Sequence, residues 1–302
     1  MIAIFNNYLC EIAALSAALL WATSSVIYSR LGLKIPPLQL NLYKGIVAIA
    51  LIVITLLLQG QTSLDVSLAT VGWLLLSGII GIGLGDTAYF AALNSLGARR
   101  TLLLETSSPP MGALLAWFLL EERLNQSTWI GILLTILGIA WVISERNPNN
   151  SQSFSRQGIT WGLLAAIAQA FGAVISRFAL IQSNINPLES TLIRLVGGTI
   201  VVLGLLLYPK NQKTKFKTRY KWRLSWHSLG IIAIAATGST YLGIWLQQIS
   251  LKFAPTGIAQ TFLATSPLFV LPIMAFLGEK ISWRAIFGVF ISLAGIFLMF
   301  VR

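Results

Sequence analysis

The chain has one cysteine, one histidine and nine acidic residues among 302 positions, and each shortage removes a class of function. A lone cysteine, Cys10, makes no intrachain disulfide, so packing is its expected role. The one histidine, His227, stands in a basic stretch without a second histidine for a metal site, and neither a nucleophile elbow nor a phosphate loop occurs. These gaps argue against an intramembrane enzyme, and no metal or cofactor is expected. Charge is scarce too: 10% of residues are charged against 56% hydrophobic, with a mean hydropathy of +0.79. That balance is far too apolar for a soluble domain and places the chain in the membrane class.

What the chain has instead is a series of apolar runs near the roughly 20 residues that a helix needs to cross the hydrocarbon core. In the first half they extend from Leu9 to Tyr28, Leu38 to Leu58, Val71 to Leu93, Thr101 to Leu120 and Ser127 to Ile143. The second half supplies Ile159 to Leu180, Leu188 to Tyr208, Leu229 to Leu251, Gly257 to Leu277 and Trp283 to Val301. The runs are continuous rather than alternating, and in hydrocarbon each backbone polar group needs a partner within its own segment, so they are read as helices and not as barrel strands. The first lacks the basic flank of a secretory signal and is read as retained. The expectation is an all-α polytopic protein with ten transmembrane helices, integral to the plasma (inner) membrane.

The two halves repeat each other. Ser29-Arg30 matches Ser176-Arg177, Pro37-Leu38 matches Pro187-Leu188, and Lys44 matches Arg194. Further on, Ser108-Pro109 matches Ser266-Pro267, Glu122-Arg123-Leu124 matches Glu279-Lys280-Ile281, and Gly131 and Gly138 match Gly288 and Gly295. Such matching marks a tandem duplication, with units at 1–146 and 158–302 joined by an Asn- and Ser-rich linker at 147–157. Five helices per unit is an odd number, so the second unit starts on the opposite side of the membrane and the two are inverted copies. Secondary transporters are built this way, with the substrate site near the midplane between the repeats. A channel or a lipid scramblase of similar architecture is the alternative.

Basic residues are unevenly placed. Lys210, Lys213, Lys215, Lys217, Arg219, Lys221 and Arg223 crowd one connection, which is read as a contact with anionic lipid rather than with nucleic acid. Arg30, Lys34, Arg99, Arg100, Arg146, Arg156, Lys280 and Arg284 also follow odd-numbered runs, whereas Arg123, Arg177, Lys252 and Arg302 follow even-numbered ones. By the positive-inside rule the odd connections are cytoplasmic and both termini lie outside.

The motifs carry a resemblance. Leu20-Trp21-Ala22 in the first run, Lys44 in the second, Ser108-Pro109 in the fourth, and Glu122-Arg123-Leu124 with Trp129, Gly131 and Gly138 around the fifth resemble the drug/metabolite transporter superfamily, in its ten-helix form with two EamA domains. The second half repeats them as Arg194, Ser266-Pro267, Gly278-Glu279-Lys280-Ile281, Gly288 and Gly295. The resemblance covers essentially the whole chain. It implies a secondary active carrier for a small metabolite, such as an amino acid or a related compound, exporting it by alternating access through a central cavity between the halves. It also implies cytoplasmic termini, the reverse of what the charge distribution favours; the connection from Gln59 to Ser67, where such proteins often carry basic residues, has none.

An ionisable side chain within a span costs about 2.5–3.5 kcal/mol on insertion scales, so each needs a partner or a task. Counted along their helices, Lys44, Asp86 and Glu105 lie roughly 9, 10 and 6 Å from one face of the membrane, close enough in depth to meet. Either Lys44 neutralises one of the acids and pins three helices together, or one carboxylate carries protons, its affinity tuned by burial and by the lysine. Arg194 differs, because the second unit has Ile244 and Leu263 where the first has Asp86 and Glu105. It either caps helix-end carbonyls or receives an anionic group of the substrate. Glu11 is near enough to the interface to be read as solvated.

The candidate substrate-binding residues are Trp21, Lys44, Tyr89, Gln169, Arg194, Tyr241, Trp245 and Gln248, and the candidates for proton coupling are Asp86 and Glu105. Gln247 and Gln260 are further polar residues inside spans; for any of these uncharged side chains, interhelical packing is the competing role. Gly78, Gly81, Gly83 and Gly85 in the third run, and Pro109, Pro110, Pro267 and Pro272 in the fourth and ninth, mark places where helices bend or approach closely.

Overall fold

A computed structural model describes residues 8–60, 66–144, 155–208, 224–276 and 282–300. The basic cluster at 210–223, Glu279-Lys280-Ile281 and most of the linker lie outside the described residues. Within them the regular elements are all helical.

Ten helical spans follow one another, as the hydropathy pattern predicts. They are α1 (Leu9–Leu31), α2 (Pro37–Leu58) and α3 (Leu68–Ala98); α4 (98–120), a broken helix that ends with Ser108–Leu120; and α5 (Gln126–Ser144). The second set is α6 (Arg156–Ile181), α7 (Pro187–Leu207), α8 (Trp226–Phe253), α9 (256–276) and α10 (Trp283–Phe300). Their starts are marked by residues that satisfy orphan amides. Ser67, Ser155 and Ser225 accept from the backbones of Thr70, Gly158 and Ser228, and Asn186 with Glu189 forms a capping box behind Pro187 at the start of α7.

Four of the spans are irregular, in matched pairs. The third helix of each repeat contains a π-helical turn, Ile79–Gly85 in α3 and Thr237–Leu242 in α8. The fourth helix of each repeat is interrupted, so the runs from Thr101 to Leu120 and from Gly257 to Leu277 are not continuous helices. Gly97, at φ 77°, kinks the chain where α3 passes into the first piece of α4, which stops at Glu105 before Ser108–Leu120 begins. In α9, Thr256–Leu263 stops before Ser266–Phe276. Ser108-Pro109 and Ser266-Pro267 open the second pieces, where proline loses nothing by lacking an amide hydrogen.

The packing obeys the exchange of one repeat for the other. α1 lies against α8 and α9, and α6 lies correspondingly against α3 and α4; α2 packs on α7, and α5 on α10. Swapping α1–α5 with α6–α10 maps these pairs onto one another, as expected of inverted repeats related by a twofold axis.

The α5–α10 pair shows how the matched glycines act. A Cβ on Gly138 would stand 2.6 Å from the Ser292 amide nitrogen, and one on Gly295 would stand 2.6 Å from that of Thr135. Only hydrogen fits, so the backbones touch. Thr135 and Ser292, between the glycines, each donate to a carbonyl of their own helix and reach the other's backbone at 3.4 and 3.3 Å. Small residues permit this close approach in lipid, where no hydrophobic driving force holds helices together. The outer faces, with Leu133, Leu137, Phe290 and Phe297, are exposed and apolar.

Candidate functional site

A cavity of about 1000 Å³, counting its open mouth, lies between the repeats and is lined from α1, α2, α3, α4, α6, α7, α8 and α9. Trp21, Ser24, Ser25 and Tyr28 supply its wall from α1 at i, i+3, i+4 and i+7, one face of a helix. The two π-helical turns border it through Ile82, Ser239 and Thr240, and the interruptions in α4 and α9 border it through Thr106, Ser108, Ala264 and Ser266.

A π-helical turn leaves carbonyls without their regular partners, and neighbouring helices take them up. From α2, the Asn41 Nδ2 donates to the carbonyls of Ile82 at 2.9 Å and Gly83 at 3.4 Å, and to Thr87 Oγ1 at 2.9 Å. From α1, the Trp21 indole donates to the Ser239 carbonyl at 2.8 Å, and the Tyr28 hydroxyl lies 3.2 Å from Ser239 Oγ. The irregular backbone is thereby held open beside the cavity rather than against lipid.

All four deep charges line this cavity. Lys44 forms an ion pair with Asp86 through Oδ2. The other oxygen of Asp86, Oδ1, accepts from Gln169 Nε2 at 3.0 Å, and Lys44 Nζ sits 5.2 Å from the centre of the Phe90 ring. Of the two acids that depth alone allowed, Asp86 is therefore the partner of the lysine. Glu105 Oε1 has no hydrogen-bond partner among the described residues.

Arg194 is 1% exposed, yet among the described residues its side chain makes a single hydrogen bond, from Nη1 to Gln247 Oε1 at 3.4 Å, while Nε has none. Carbonyl capping does not occur. Ile244 and Leu263, which replace the acids in the second repeat, also line the cavity. The repeats contribute equivalent positions to one chamber and fill them with different chemistry.

Trp21, Lys44, Tyr89, Gln169 and Arg194 are thus brought together with Asp86 and Glu105; Tyr241, Trp245 and Gln248 are not. The Tyr241 hydroxyl pairs with Thr55 Oγ1 at 2.8 Å, and its ring lies 6.2 Å from that of Trp245. Gln248 Oε1 accepts from Ser176 at 2.6 Å and Ser190 at 3.3 Å, tying α6 and α7 to α8. Glu11 is a correction: it is 4% exposed rather than solvated, with Cys10 Sγ donating to Oε2 at 2.6 Å. The described residues contain no group of three or more His, Cys, Asp or Glu arranged to hold a metal.

Comparison with known proteins agrees with this architecture. The model of the EamA-like transporter family matches twice, over residues 8–144 and 156–301. The chain belongs to the EamA-like transporter family. It is 25% identical over 290 residues, 95% of this chain and 96% of the relative, to a protein of Archaeoglobus fulgidus described as an uncharacterized transporter. A mouse protein, solute carrier family 35 member F6, is 32% identical over 130 residues, 41% of this chain and 35% of the relative. Protein LicB of Haemophilus influenzae is 25% identical over 198 residues, 63% of this chain and 64% of the relative. A crystal structure at 17% identity superposes with a TM-score of 0.76 over 97% of this chain and 96% of the other, which shows a shared fold.

As an EamA-like transporter the chain is a multi-pass integral membrane protein, and its cavity is wetter than its charges alone suggest. Ser24, Ser25, Tyr28, Thr106, Ser108, Ser239, Thr240, Gln247, Gln260 and Ser266 all line it, and sequence reasoning singled out only the two glutamines as polar side chains. Across the cavity, Ser108 Oγ donates to Gln260 Oε1 at 3.0 Å, linking α4 to α9, while Gln260 Nε2 has no partner among the described residues. A signal for part of this set existed. Ser24, Ser25 and Tyr28 share the helical face of Trp21, a polar stripe on a span that needs none to insert.

Proposed function

We propose that this EamA-like transporter is a secondary active carrier that exports a small zwitterionic metabolite, an amino acid or a related compound, across the plasma membrane by alternating access of its inverted repeats at 1–146 and 158–302. One observation supports this above the rest. Among the described residues, Arg194 presents a buried guanidinium without a carboxylate partner to the same cavity in which Glu105 presents a carboxylate oxygen without a donor.

Unmet charges of opposite sign are costly in a membrane interior, and a ligand that answers them repays that cost on binding. A substrate carboxylate fits Arg194, whose planar fork of donors matches it. Glu105 then has two possible occupants, a substrate ammonium group or a proton. Because both compete for one carboxylate, binding of one and release of the other are linked, which is the element of an exchange cycle. Lys44, Asp86 and Gln169 form a satisfied network beside this pair, and Trp21 and Tyr89 offer ring faces to the substrate body. Tyr241, Trp245 and Gln248 serve the helix contacts around the cavity.

The test is a thermal-stability screen of the purified protein against amino acids and related metabolites, because a ligand that binds the folded state raises its stability. Hits are then measured as flux into proteoliposomes. Saturable flux driven by a proton gradient is the expected result, whereas unsaturable flux or lipid flipping replaces the carrier reading with a channel or a scramblase.

A further inference from the structure

We propose that the ion pair between Arg177 and Glu122 is the lock that keeps one face of the transporter closed, and that it opens when the cavity turns to that face; this rests on the alternating-access reading above. The pair gathers four chain segments at one end of the bundle. Arg177, in the last turns of α6, donates from Nε to Glu122 Oε1 at 2.9 Å, and from Nη1 to the carbonyls of Leu251 at 2.7 Å and Lys252 at 2.6 Å near the end of α8. Glu122, just beyond α4, accepts through Oε2 from the backbone amide of Thr256, the first residue of α9, at 2.7 Å. Each charge therefore answers a helix terminus as well as its partner, a cation at the carbonyl end of α8 and an anion at the amide end of α9.

Helix direction places this cluster at the end of the bundle where α1 and α3 begin. α1 and α3 both run toward the opposite face, and the cavity takes their later residues, Trp21 to Tyr28 and Ile82 to Phe90.

The inverted repeat supplies a control inside the same molecule. Arg30, which the duplication matches to Arg177, stands at that opposite face, is exposed, and forms no ion pair or hydrogen bond among the described residues. Arg177 is engaged in this cluster, whereas Arg30 has no such partner among the described residues, which do not include Glu279, the match of Glu122. In an inverted-repeat carrier the change of state exchanges the conformations of the two halves, so Arg177 after the change stands as Arg30 stands now. The partners are 14% and 12% exposed, so water reaches them and the released charges are hydrated rather than stranded.

The experiment uses a single reporter thiol, Gln260→Cys in a Cys10→Ser background, on the cavity wall one turn inside Thr256. Membrane-impermeant maleimide is applied to each face of sealed vesicles. The parent is expected to label from one face only, and Glu122→Gln and Arg177→Gln are expected to raise labelling from the other face roughly tenfold, because a two-state equilibrium follows the stability of its lock. Glu122→Gln keeps an acceptor for the Thr256 amide and decides the matter if Arg177→Gln does not fold. Unchanged one-sided labelling with a lower melting temperature overturns the lock and leaves a structural cap. Equal labelling of the parent from both faces overturns alternating access itself, and no transported substrate is needed to see it.

Discussion

Lys44 and Arg194 occupy the same place in the two repeats, and among the described residues only Lys44 pairs with a carboxylate. Asp86 answers the lysine; Ile244, at the position that the duplication matches to Asp86, lines the same cavity without a charge. A duplicated scaffold thus carries one neutralised cation and one open one in a single chamber, and the open one is where a ligand gains most.

Replacing Arg194 by Gln is expected to weaken binding of a carboxylate-bearing substrate by about 2–5 kcal/mol, roughly 30- to 4000-fold. The melting temperature should hold or rise, since an unpaired buried cation is removed. Flux into proteoliposomes and thermal unfolding measure the two effects separately, and unchanged affinity would remove the anion-binding role.

Glu105→Gln imitates a permanently protonated carboxyl group. Substrate exchange across the bilayer should survive, while accumulation driven by a pH gradient is lost and the pH profile of transport flattens. A profile identical to that of the parent assigns proton coupling elsewhere.

Lys44→Met strands Asp86, at a cost of about 3–5 kcal/mol. Adding Asp86→Ile, the side chain that the second repeat uses, should recover most of that stability, a strong coupling that unfolding of the two single variants and the double variant measures. Additive losses would mean that the pair is not what holds α2 to α3.

Gly138→Leu and Gly295→Leu are expected to leave little monodisperse protein, because a side chain at either position meets the backbone of the opposing helix. Gly204→Ala is the contrast: no atom lies within 4 Å of its Cβ position in α7, and the change should gain about 0.4–1 kcal/mol from helix propensity and chain entropy. Size-exclusion profiles and melting curves report both, and a tolerated Gly138→Leu would show that the α5–α10 contact is loose.

Much of the fold was legible because hydropathy and the cost of buried charge act locally. The spans, the duplication and the four deep charges follow from residue type and spacing alone. The interruptions at 106–107 and 264–265 were half legible, since Pro109 and Pro267 mark a bend but not that the helix restarts there. Ser25 shows why the small hydroxyls were missed. Its Oγ donates to the Ala22 carbonyl of its own helix at 2.8 Å, so it is satisfied within a hydrophobic run and only its helical register with Trp21 and Tyr28 marks it. Tyr241, Trp245 and Gln248 were named because they are polar or aromatic within a span, and residue type alone does not say which of these side chains face the cavity; Gln247 lines it while its neighbour Gln248 does not.

The sequence by itself determined a ten-span membrane protein made of two inverted copies, because an odd number of long apolar runs admits no other arrangement. Only the tertiary structure decided that Lys44 takes Asp86 and not Glu105, that Arg194 has no carboxylate partner among the described residues, and that Arg177 takes Glu122. Those outcomes depend on how each helix is rotated and how closely it meets helices of the other repeat, and the glycine contacts and π-helical turns that set these distances act between residues far apart in the chain.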